Sequence, residues 1–230
     1  TYLEKINRAA HTLLTIINDI LDFSKIESGK LEIVPADYNL DTLISDVESI
    51  IKVRLASKSV ALSIDVSNNV PRNLFGDDIR IKQVLLNLAG NAAKFSEEGE
   101  IKITVKLHEP LKSKESFLEN QKIILDFSVK DTGIGIKKEN LEKLFTSFQQ
   151  VDMQHNRKKE GSGLGLAISK QLVSLMGGTF GVDSEYGKGS NFYFSIPQTI
   201  GKSKENKKAE SISFIAPNAK ILVVDDNEVN

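Results

Sequence analysis

The sequence predicts an α+β fold: a two-layer α/β sandwich preceded by one long bundle helix. Segments with the apolar period of a helix are interspersed with segments that alternate like strands throughout residues 31–197. Because the strands read as antiparallel and share one unit with the helices, the pattern favours helices packed on one sheet face. Residues 1–30 instead carry apolar residues at heptad-like spacing, which is typical of a helix in a four-helix bundle.

The composition excludes several classes of protein. The chain has 230 residues, with 30 Lys and Arg against 31 Asp and Glu, so its charge does not indicate nucleic acid as a partner. The absence of cysteine excludes a disulfide framework and thiolate metal sites. No apolar run approaches the ~20 residues of a membrane span. We expect a cytoplasmic segment of a longer protein, and membrane anchoring of that parent stays open.

The predicted bundle helix has an apolar stripe that is wider than a two-stranded seam. Two rows and several flanking positions make up the stripe: Leu3, Ala10 and Ile17; Ile6, Leu13 and Ile20; Leu14, Ile16, Leu21 and Phe23. The helix is predicted to end in ESGK, with Gly29 as its C-cap. One such helix cannot bury its stripe alone, so partner helices must come from upstream sequence or from another chain.

The unit over residues 31–197 contains four predicted helices and five predicted strands. The helices are expected at 39–58, 77–95, 137–145 and 163–176, and the strands at 60–66, 100–107, 122–131, 178–184 and 190–196. Polar loops are expected at 108–121 and 149–162. The lysine-rich segment 198–219 has a linker composition, and residues 220–230 resemble the first strand of a further domain.

Polar residues follow one face of the predicted helix at 77–95. Gln83, Asn87, Asn91 and Lys94 lie one turn apart along a helix that is otherwise rich in apolar residues. Such a row costs stability unless each group has a partner. Two interpretations stay open: one or two amides satisfied within the fold, or oxygen ligands for Mg²⁺ beside a lysine that holds phosphate.

Three glycine-bearing stretches stand near predicted strand and helix ends. They are DTGIG at 131–135, GSGLGLA at 161–167 and GKGS at 187–190. Each alone is compatible with an ordinary turn. GSGLGLA opens a helix, where small residues let backbone N–H groups approach a phosphate. It is neither a dinucleotide fingerprint nor a P-loop, because no parallel strand runs into it and no Gly-Lys-Ser/Thr follows.

Taken together and in order, five motifs resemble the N, G1, F, G2 and G3 boxes of sensor histidine kinases in the GHKL group of ATPases. The motifs are NLAGNAAKF, DTGIG, LFTSFQQ, GSGLGLAIS and GKGSNFYFSIP. LLTIINDILDFSKIESGKLE resembles the second helix of the dimerisation and histidine-phosphotransfer hairpin, and KILVVDDNEVN resembles the opening of a receiver domain. The resemblance implies a Bergerat-type ATP-binding fold in a homodimeric hybrid histidine kinase. Such a kinase passes the γ-phosphoryl group of ATP to a histidine and then to a receiver aspartate.

The resemblance also implies roles for individual residues around ATP and Mg²⁺. Asn91 would ligate Mg²⁺, Lys94 would contact phosphate, and Phe95 would pack against adenine. Asp131 would accept a hydrogen bond from the adenine amino group. Asn87 stands where related ATPases carry a catalytic glutamate, and an amide cannot act as a general base toward water.

The glycine motifs and the loop before the last helix receive roles in the same way. Gly133 and Gly135 would permit close backbone approach and the φ values of the turn. Gly161, Gly163 and Gly165 would hinge the lid and present N–H groups to the phosphates, with Leu164 and Leu166 anchoring the helix. Arg157 would neutralise γ-phosphate charge. Glu160 departs from the family pattern, which usually has a glycine there, and this departure leaves the lid geometry least defined.

None of the three histidines matches the phosphoacceptor pattern, in which an acidic residue follows the histidine and a proline lies within a turn and a half. His11 is followed by Thr-Leu-Leu, His108 lies at a strand end, and His155 lies in the predicted lid. We therefore expect the acceptor helix upstream of Thr1 and interpret His11 as a surface residue. Asp225 and Asp226 resemble the acidic pair of receivers.

Two alternative functions remain at this point. A degenerate signalling module could use the nucleotide pocket only as a switch, and Glu160 is the residue that favours this interpretation. An ATP-hydrolysing relative from the same superfamily is disfavoured by Asn87 in place of glutamate.

Overall fold

A computed structural model describes residues 2–109, 120–145 and 163–202. Its helices are α1 (Tyr2–Glu27), α2 (Leu40–Leu55), α3 (Asp78–Phe95), α4 (Lys138–Leu141, continued by a 3₁₀ turn over Glu142–Phe145) and α5 (Gly165–Leu175). Its strands are β1 (Ala36–Asn39), β2 (Ser59–Val66), β3 (Asn73–Gly76), β4 (Glu98–Leu107), β5 (Lys122–Asp131), β6 (Thr179–Glu185) and β7 (Gly189–Ile200). The predicted α+β class, with a long first helix, is confirmed.

The seven strands form one mixed sheet in the order β1-β3-β7-β5-β4-β2, and β6 pairs with the first part of β7. The β4–β5 and β6–β7 pairs are antiparallel hairpins, as the sequence predicts. The expectation of purely antiparallel strands is wrong for β2, which runs parallel to β4. The chain reaches β4 only after crossing through β3 and α3, and such a crossover allows parallel pairing.

The hydrophobic core lies between the sheet and helices α2, α3 and α5. Inward-facing residues alternate along β5 and β7, and the rings of Phe127 and Phe194 stack at 4.8 Å between centroids. Helix α3 contributes residues that are fully buried, among them Ile81, Leu85 and Leu88. Because α3 contacts both α2 and α5 as well as β5, its polar face is held at a fixed place against α5.

Helix α1 ends at the predicted glycine. Gly29 has φ +64°, its N–H donates to Ile26 O at 3.0 Å, and the Lys30 N–H donates to Lys25 O at 2.8 Å. This pair of bonds is the Schellman motif, which needs a residue that tolerates positive φ. The last turn of α1 is anchored, because Phe23 and Ile26 pack against the core.

The predicted apolar stripe of α1 is exposed to solvent in the single chain over much of its length. Ile6 and Leu13 are 65% and 59% exposed, and Ile17 and Ile20 are also exposed. A helix face of this kind is uncovered until other helices pack on it. None of the helices that the structure describes is long and apolar enough to cross a membrane.

Several predicted boundaries differ from the structure. The last strand extends to Ile200, so the first three residues of the segment predicted as a linker belong to the sheet. Helix α2 ends at Leu55 rather than at 58, and α5 begins at Gly165 rather than at 163. Strands β1 and β3 were not predicted, because four residues each give too little alternation. The predicted lid, most of the 108–121 loop and residues 203–230 lie outside the described residues.

We predict that the α/β unit needs the chain up to Ile200 for full stability. Gln198 and Ile200 are buried, Tyr38 donates a hydrogen bond to Gln198 at 2.9 Å, and Ile200 pairs with β3. A chain that ends at Pro197 should lose about 3 kcal/mol or more of unfolding free energy relative to one that ends at Lys202. Denaturant unfolding followed by circular dichroism measures this difference. Identical unfolding midpoints would show that these residues contribute nothing.

Candidate functional site

Helix α3 begins at a buried aspartate that also fixes the preceding chain. Asp77 is the N-cap, and its carboxylate accepts hydrogen bonds from the Arg80 N–H at 3.0 Å and the Val34 N–H at 2.8 Å. The cap satisfies an N–H group that a helix start leaves without a partner. It thereby sets the rotation of the polar face that begins at Gln83.

Gln83 contacts the bundle helix instead of the rest of the polar face. Its amide nitrogen donates to Asp22 of α1 at 2.8 Å, and its oxygen accepts from Arg80 at 2.8 Å. Arg80 also lies 3.5 Å from the same Asp22 carboxylate. The first amide of the row is therefore satisfied within the fold, one of the two interpretations that the sequence leaves open.

Asn87 joins α3 to α5. Its amide nitrogen donates to the Ser169 hydroxyl at 2.8 Å, and its oxygen faces the Asn91 amide nitrogen at 3.5 Å. A Cβ on Gly165 would overlap the Asn87 oxygen, so the first residue of α5 packs directly on this amide. Ser169 is itself 2% exposed. Both polar groups of Asn87 are thus engaged inside the domain.

Asn91 and the two residues that follow one turn later border the same region. Because the Asn91 amide nitrogen is directed at Asn87, its oxygen is the group left for a ligand. Lys94 lies with its ammonium 5.1 Å from the centre of the Phe95 ring, and both side chains are half-buried. An amide oxygen, an ammonium and an aromatic ring therefore follow one another toward the end of α3.

Asp131 ends β5 as a buried carboxylate. Its Oδ1 atom accepts a hydrogen bond from the Gly133 N–H at 2.8 Å. Burial raises the pKa of the Asp131 carboxyl above its ordinary value, and the backbone amides of Gly133 and Ser190 oppose that rise. A strongly buried acid at a strand end, held only partly by amides, is typical of a functional site.

The loop after Asp131 lies close to the end of α3. A Cβ on Gly133 would come within 2.7 Å of Phe95 O, 2.8 Å of Ser96 Oγ and 2.9 Å of Asp131 Oδ1. Gly135 has φ +64°, as the turn was expected to need. Positive φ is found at Gly135 and not at Gly133, so the two expected roles divide between the two glycines. Gly133 is required for space.

The start of α5 presents backbone donors beside α3. Leu164 is the N-cap but has no capping side-chain bond, and Gly163 before it has φ +72°. The N–H groups of the first helical turn therefore have no helical partner and donate no hydrogen bond to the N-cap side chain. Leu164 is 1% exposed and Leu166 packs against the core, so the turn is firmly anchored. Gly161, Arg157 and Glu160 lie outside the described residues.

Two residues that support the site were missed by the sequence analysis. Ser169 lies inside the GSGLGLAIS motif, one turn after Gly165, and this helical spacing could have indicated its contact with Asn87. Lys58 donates to Ala93 O and Ser96 O, each at 2.8 Å, and so satisfies the carbonyl end of α3. Lys58 lies 35 residues before Ala93, and no sequence pattern links the two.

The described histidine lies away from these groups. His108 has its Nδ1 atom 2.9 Å from Asp126, which occupies the sheet face opposite the helices. His155 lies outside the described residues, and of His11 only the backbone, within α1, is described. The expectation that the phosphoacceptor lies upstream stays a prediction.

Comparison with known proteins agrees with this geometry. The sequence pattern of the family described as "Histidine kinase-, DNA gyrase B-, and HSP90-like ATPase" matches residues 76–200, more than half of the chain. The match begins at the end of β3 and ends with the last residue of β7. It therefore covers α3, the β5 loop, α5 and the final hairpin, the elements that hold the residues described above.

Several curated relatives align with nearly the whole chain. Hybrid signal transduction histidine kinase B of Dictyostelium discoideum is 43% identical over 211 residues, which are 92% of this chain and 10% of that protein. Signal transduction histidine-protein kinase BarA of Escherichia coli (strain K12) is 36% identical over 225 residues, 95% of this chain and 24% of that protein. Autoinducer 2 sensor kinase/phosphatase LuxQ of Vibrio vulnificus (strain YJ016) is 40% identical, with 95% and 25% covered. The chain thus spans a quarter or less of these relatives.

Solved structures share the fold. The crystal structure of full-length ShkA in complex with AMPPNP matches with a TM-score of 0.70 and 31% identity, covering 88% of this chain and 39% of that one. The catalytic domain of histidine kinase ThkA matches with a TM-score of 0.53 and 27% identity, covering 71% and 97%. The chain belongs to the histidine kinase-, DNA gyrase B- and HSP90-like ATPases, and it is homologous to the hybrid sensor histidine kinases.

Proposed function

We propose that this chain is the ATP-binding catalytic part of a hybrid histidine kinase. It binds ATP with Mg²⁺ and supports transfer of the γ-phosphoryl group to a histidine upstream of the chain, and onward to a receiver aspartate. One observation carries the proposal. The Asn91 oxygen lies on α3, which contacts the start of α5 at Asn87 and the loop after the buried Asp131 at Phe95.

At the base end, Asp131 accepts a hydrogen bond from the adenine amino group. The carboxylate is positioned by the Gly133 N–H, so it meets the base without reorganising. Phe95, half-buried at the end of α3, packs against the ring of the base. Because Asp131 is buried, the base would be read where water competes little.

At the phosphate end, Asn91 supplies an oxygen ligand to Mg²⁺ and Lys94 contacts phosphate. Mg²⁺ is commonly held by few protein oxygens together with substrate phosphates, and it neutralises charge on the transferring group. The described residues contain no cluster of three or more His, Asp or Glu side chains that could hold a metal, which fits an amide ligand. The N–H groups at the start of α5 favour phosphate there.

Asn87 supports transfer rather than hydrolysis. An amide cannot take a proton from water, and both of its polar groups are engaged, by Ser169 and Asn91. The residue instead holds α5 against α3. Asn87 is thus a positioning residue for the phosphate-binding turn, and the γ-phosphoryl group is kept for the histidine. Gly161 and Arg157 complete the lid in this proposal.

The proposed partners follow from the bundle helix and from the relatives. The exposed stripe on α1 fits packing against the acceptor helix and against a second copy, in a homodimer. Residues 220–230 belong to a receiver domain in this proposal, as the hybrid histidine kinase among the relatives suggests. A near-neutral charge balance agrees with the expectation that nucleic acid is not a partner.

We predict that replacing Asn91 by alanine removes the Mg²⁺-dependent part of ATP binding. In calorimetry, the wild-type chain should bind ATP in the micromolar range or more weakly, and better with Mg²⁺ than with a chelator. Asn91→Ala should bind at least about tenfold more weakly in Mg²⁺ and like the wild type in chelator. Asn69→Ala, which removes an exposed turn amide, is the matched control. Equal Mg²⁺ dependence in both variants would contradict the assignment.

We expect phosphotransfer to a dimerisation and phosphotransfer hairpin that is supplied as a separate chain. With γ-labelled ATP, the hairpin should acquire acid-labile phosphate, and the chain alone should show no steady-state hydrolysis, because Asn87 provides no general base. Asn91→Ala should abolish the label. Steady hydrolysis by the chain alone would favour an ATPase, while tight ATP binding without labelling would favour a nucleotide-dependent switch.

We predict that acid weakens ATP binding at a pH above the ordinary pKa of aspartate. The raised pKa of Asp131 means that its carboxylate becomes protonated earlier than usual as the pH falls, and the acceptor for the adenine amino group is weakened. Asp131→Asn should bind ATP weakly at every pH and lack this acid limb. Because protonation of ATP is common to both proteins, parallel pH profiles would contradict the role of Asp131.

The raised pKa of Asp131 also determines how its carboxyl changes the free energy of unfolding as the pH changes. A folded-state pKa above the unfolded one means that the folded chain binds more protons, so stability falls as the pH rises through that interval. Asp131→Asn should therefore be at least as stable as the wild type at neutral pH, even though it loses ATP. A thermal melt checks that lost binding is not lost folding.

A further inference from the structure

Three inward-facing side chains form a row across neighbouring strands at the base end of the site. Asp131 lies opposite Ser190 in the β5–β7 register, and Ser190 lies opposite Ser184 in the β7–β6 register. Directly opposed side chains on one sheet face have their Cβ atoms about 5 Å apart. Asp131 and Ser190 are both buried.

Ser184 makes three polar contacts. Its hydroxyl accepts a hydrogen bond from the Ile136 N–H at 2.8 Å and donates to Gly189 O at 2.9 Å. Its Oγ atom also lies 2.9 Å from Ser190 Oγ. Ile136 follows the DTGIG loop and Gly189 begins β7. Ser184 therefore joins the loop after Asp131 to the strand that carries Ser190.

These contacts fix the direction of the hydrogen bond between the two serines. A hydroxyl has one hydrogen and two lone pairs. A carbonyl only accepts, so the Ser184 hydrogen is directed at Gly189 O, and the Ile136 N–H occupies one lone pair. The remaining contact is satisfied only when Ser190 donates to Ser184. The reverse direction would leave Ser184 Oγ and Gly189 O as two acceptors with no hydrogen between them.

We propose that Ser184 is a positioning residue that sets base selectivity by fixing Ser190 as an acceptor. With its hydrogen held by Ser184, Ser190 offers only lone pairs to the pocket, beside a carboxylate that also only accepts. A 6-amino purine brings two hydrogens to such a site. A 6-oxo purine in the same pose brings a carbonyl oxygen, which meets two acceptors. This inference rests on the proposed binding of ATP in this pocket, and it assigns the 6-amino purines as its ligand class.

A purely structural role for Ser184 makes a different prediction. If the hydroxyl only held the loop and the β6–β7 turn together, its removal would weaken all purine nucleotides alike. If it directs the Ser190 hydrogen, its removal frees that hydrogen to point into the pocket. Ser190 then donates to a 6-oxo group, and discrimination falls. The ratio of two affinities therefore separates the two roles.

The test compares ATP with inosine triphosphate (ITP), each with Mg²⁺, by calorimetry. ITP carries a 6-oxo group and, unlike GTP, adds no 2-amino group. We expect Ser184→Ala to lower the preference for ATP over ITP by about five- to tenfold, the effect of one neutral hydrogen bond. Ser184→Thr keeps the hydroxyl and should keep the preference. Ser195→Ala is the control. This serine lies on the face of β7 opposite to Ser190, and it donates a hydrogen bond to Asp126 of β5.

Each outcome decides between the roles. An unchanged preference in Ser184→Ala, or equal losses for both nucleotides, overturns the inference while the proposed function stands. Should Ser184→Ala fail to fold, Ser190→Ala removes the acceptor itself. ATP should then bind more weakly, and ITP, which loses one opposing acceptor, should bind at least as well as before; equal losses overturn the inference. A wild-type chain that binds neither nucleotide contradicts the proposed function, and this inference with it.

Discussion

The buried Asp131 carboxylate constrains everything around the end of β5. A carboxylate removed from water is costly unless donors surround it, and here the donors are the backbone amides of Gly133 and Ser190. Both amides reach it only because the chain folds back tightly after β5 while β7 runs alongside. A side chain at Gly133 would collide with Asp131 Oδ1, and one at Gly189 with the Asp131 backbone. Two of the glycine motifs therefore position the chain around one acidic group. A buried acid with a raised pKa is typical of a functional site.

Helix α3 links this group to the rest of the chain. Along one face, Gln83 contacts Asp22 of the bundle helix, Asn87 contacts Ser169 of α5, and Asn91 offers its oxygen. The contacts lie one turn apart, so α1 and α5 are joined through a single rigid element, α3. This arrangement explains how a helix otherwise rich in apolar residues tolerates three amides: each has a partner in a different direction.

The sequence predicts some of these features and not others. Periodicity identifies α1 and α3, and the ordered motifs identify the residues around Asp131 and Asn91. The sequence could not predict the parallel pairing of β2, which depends on a crossover, or the two four-residue strands β1 and β3. Nor could it separate Gln83 from the other amides, because the partner of Gln83 is 61 residues away on another helix. Contacts between distant segments carry no local pattern.

Our central proposal is that nucleotide binds beside α3, where this helix contacts β5 and α5. A titration of the ¹⁵N-labelled chain with ATP and Mg²⁺, followed by amide chemical shifts, tests this claim most directly. We expect the largest shifts at Gly133, Gly165 and Leu166, with Lys106 and Lys122 at the far end of the sheet unchanged. Shifts that cluster on the outer sheet face or along α1, with Gly133 and Gly165 unmoved, would contradict it.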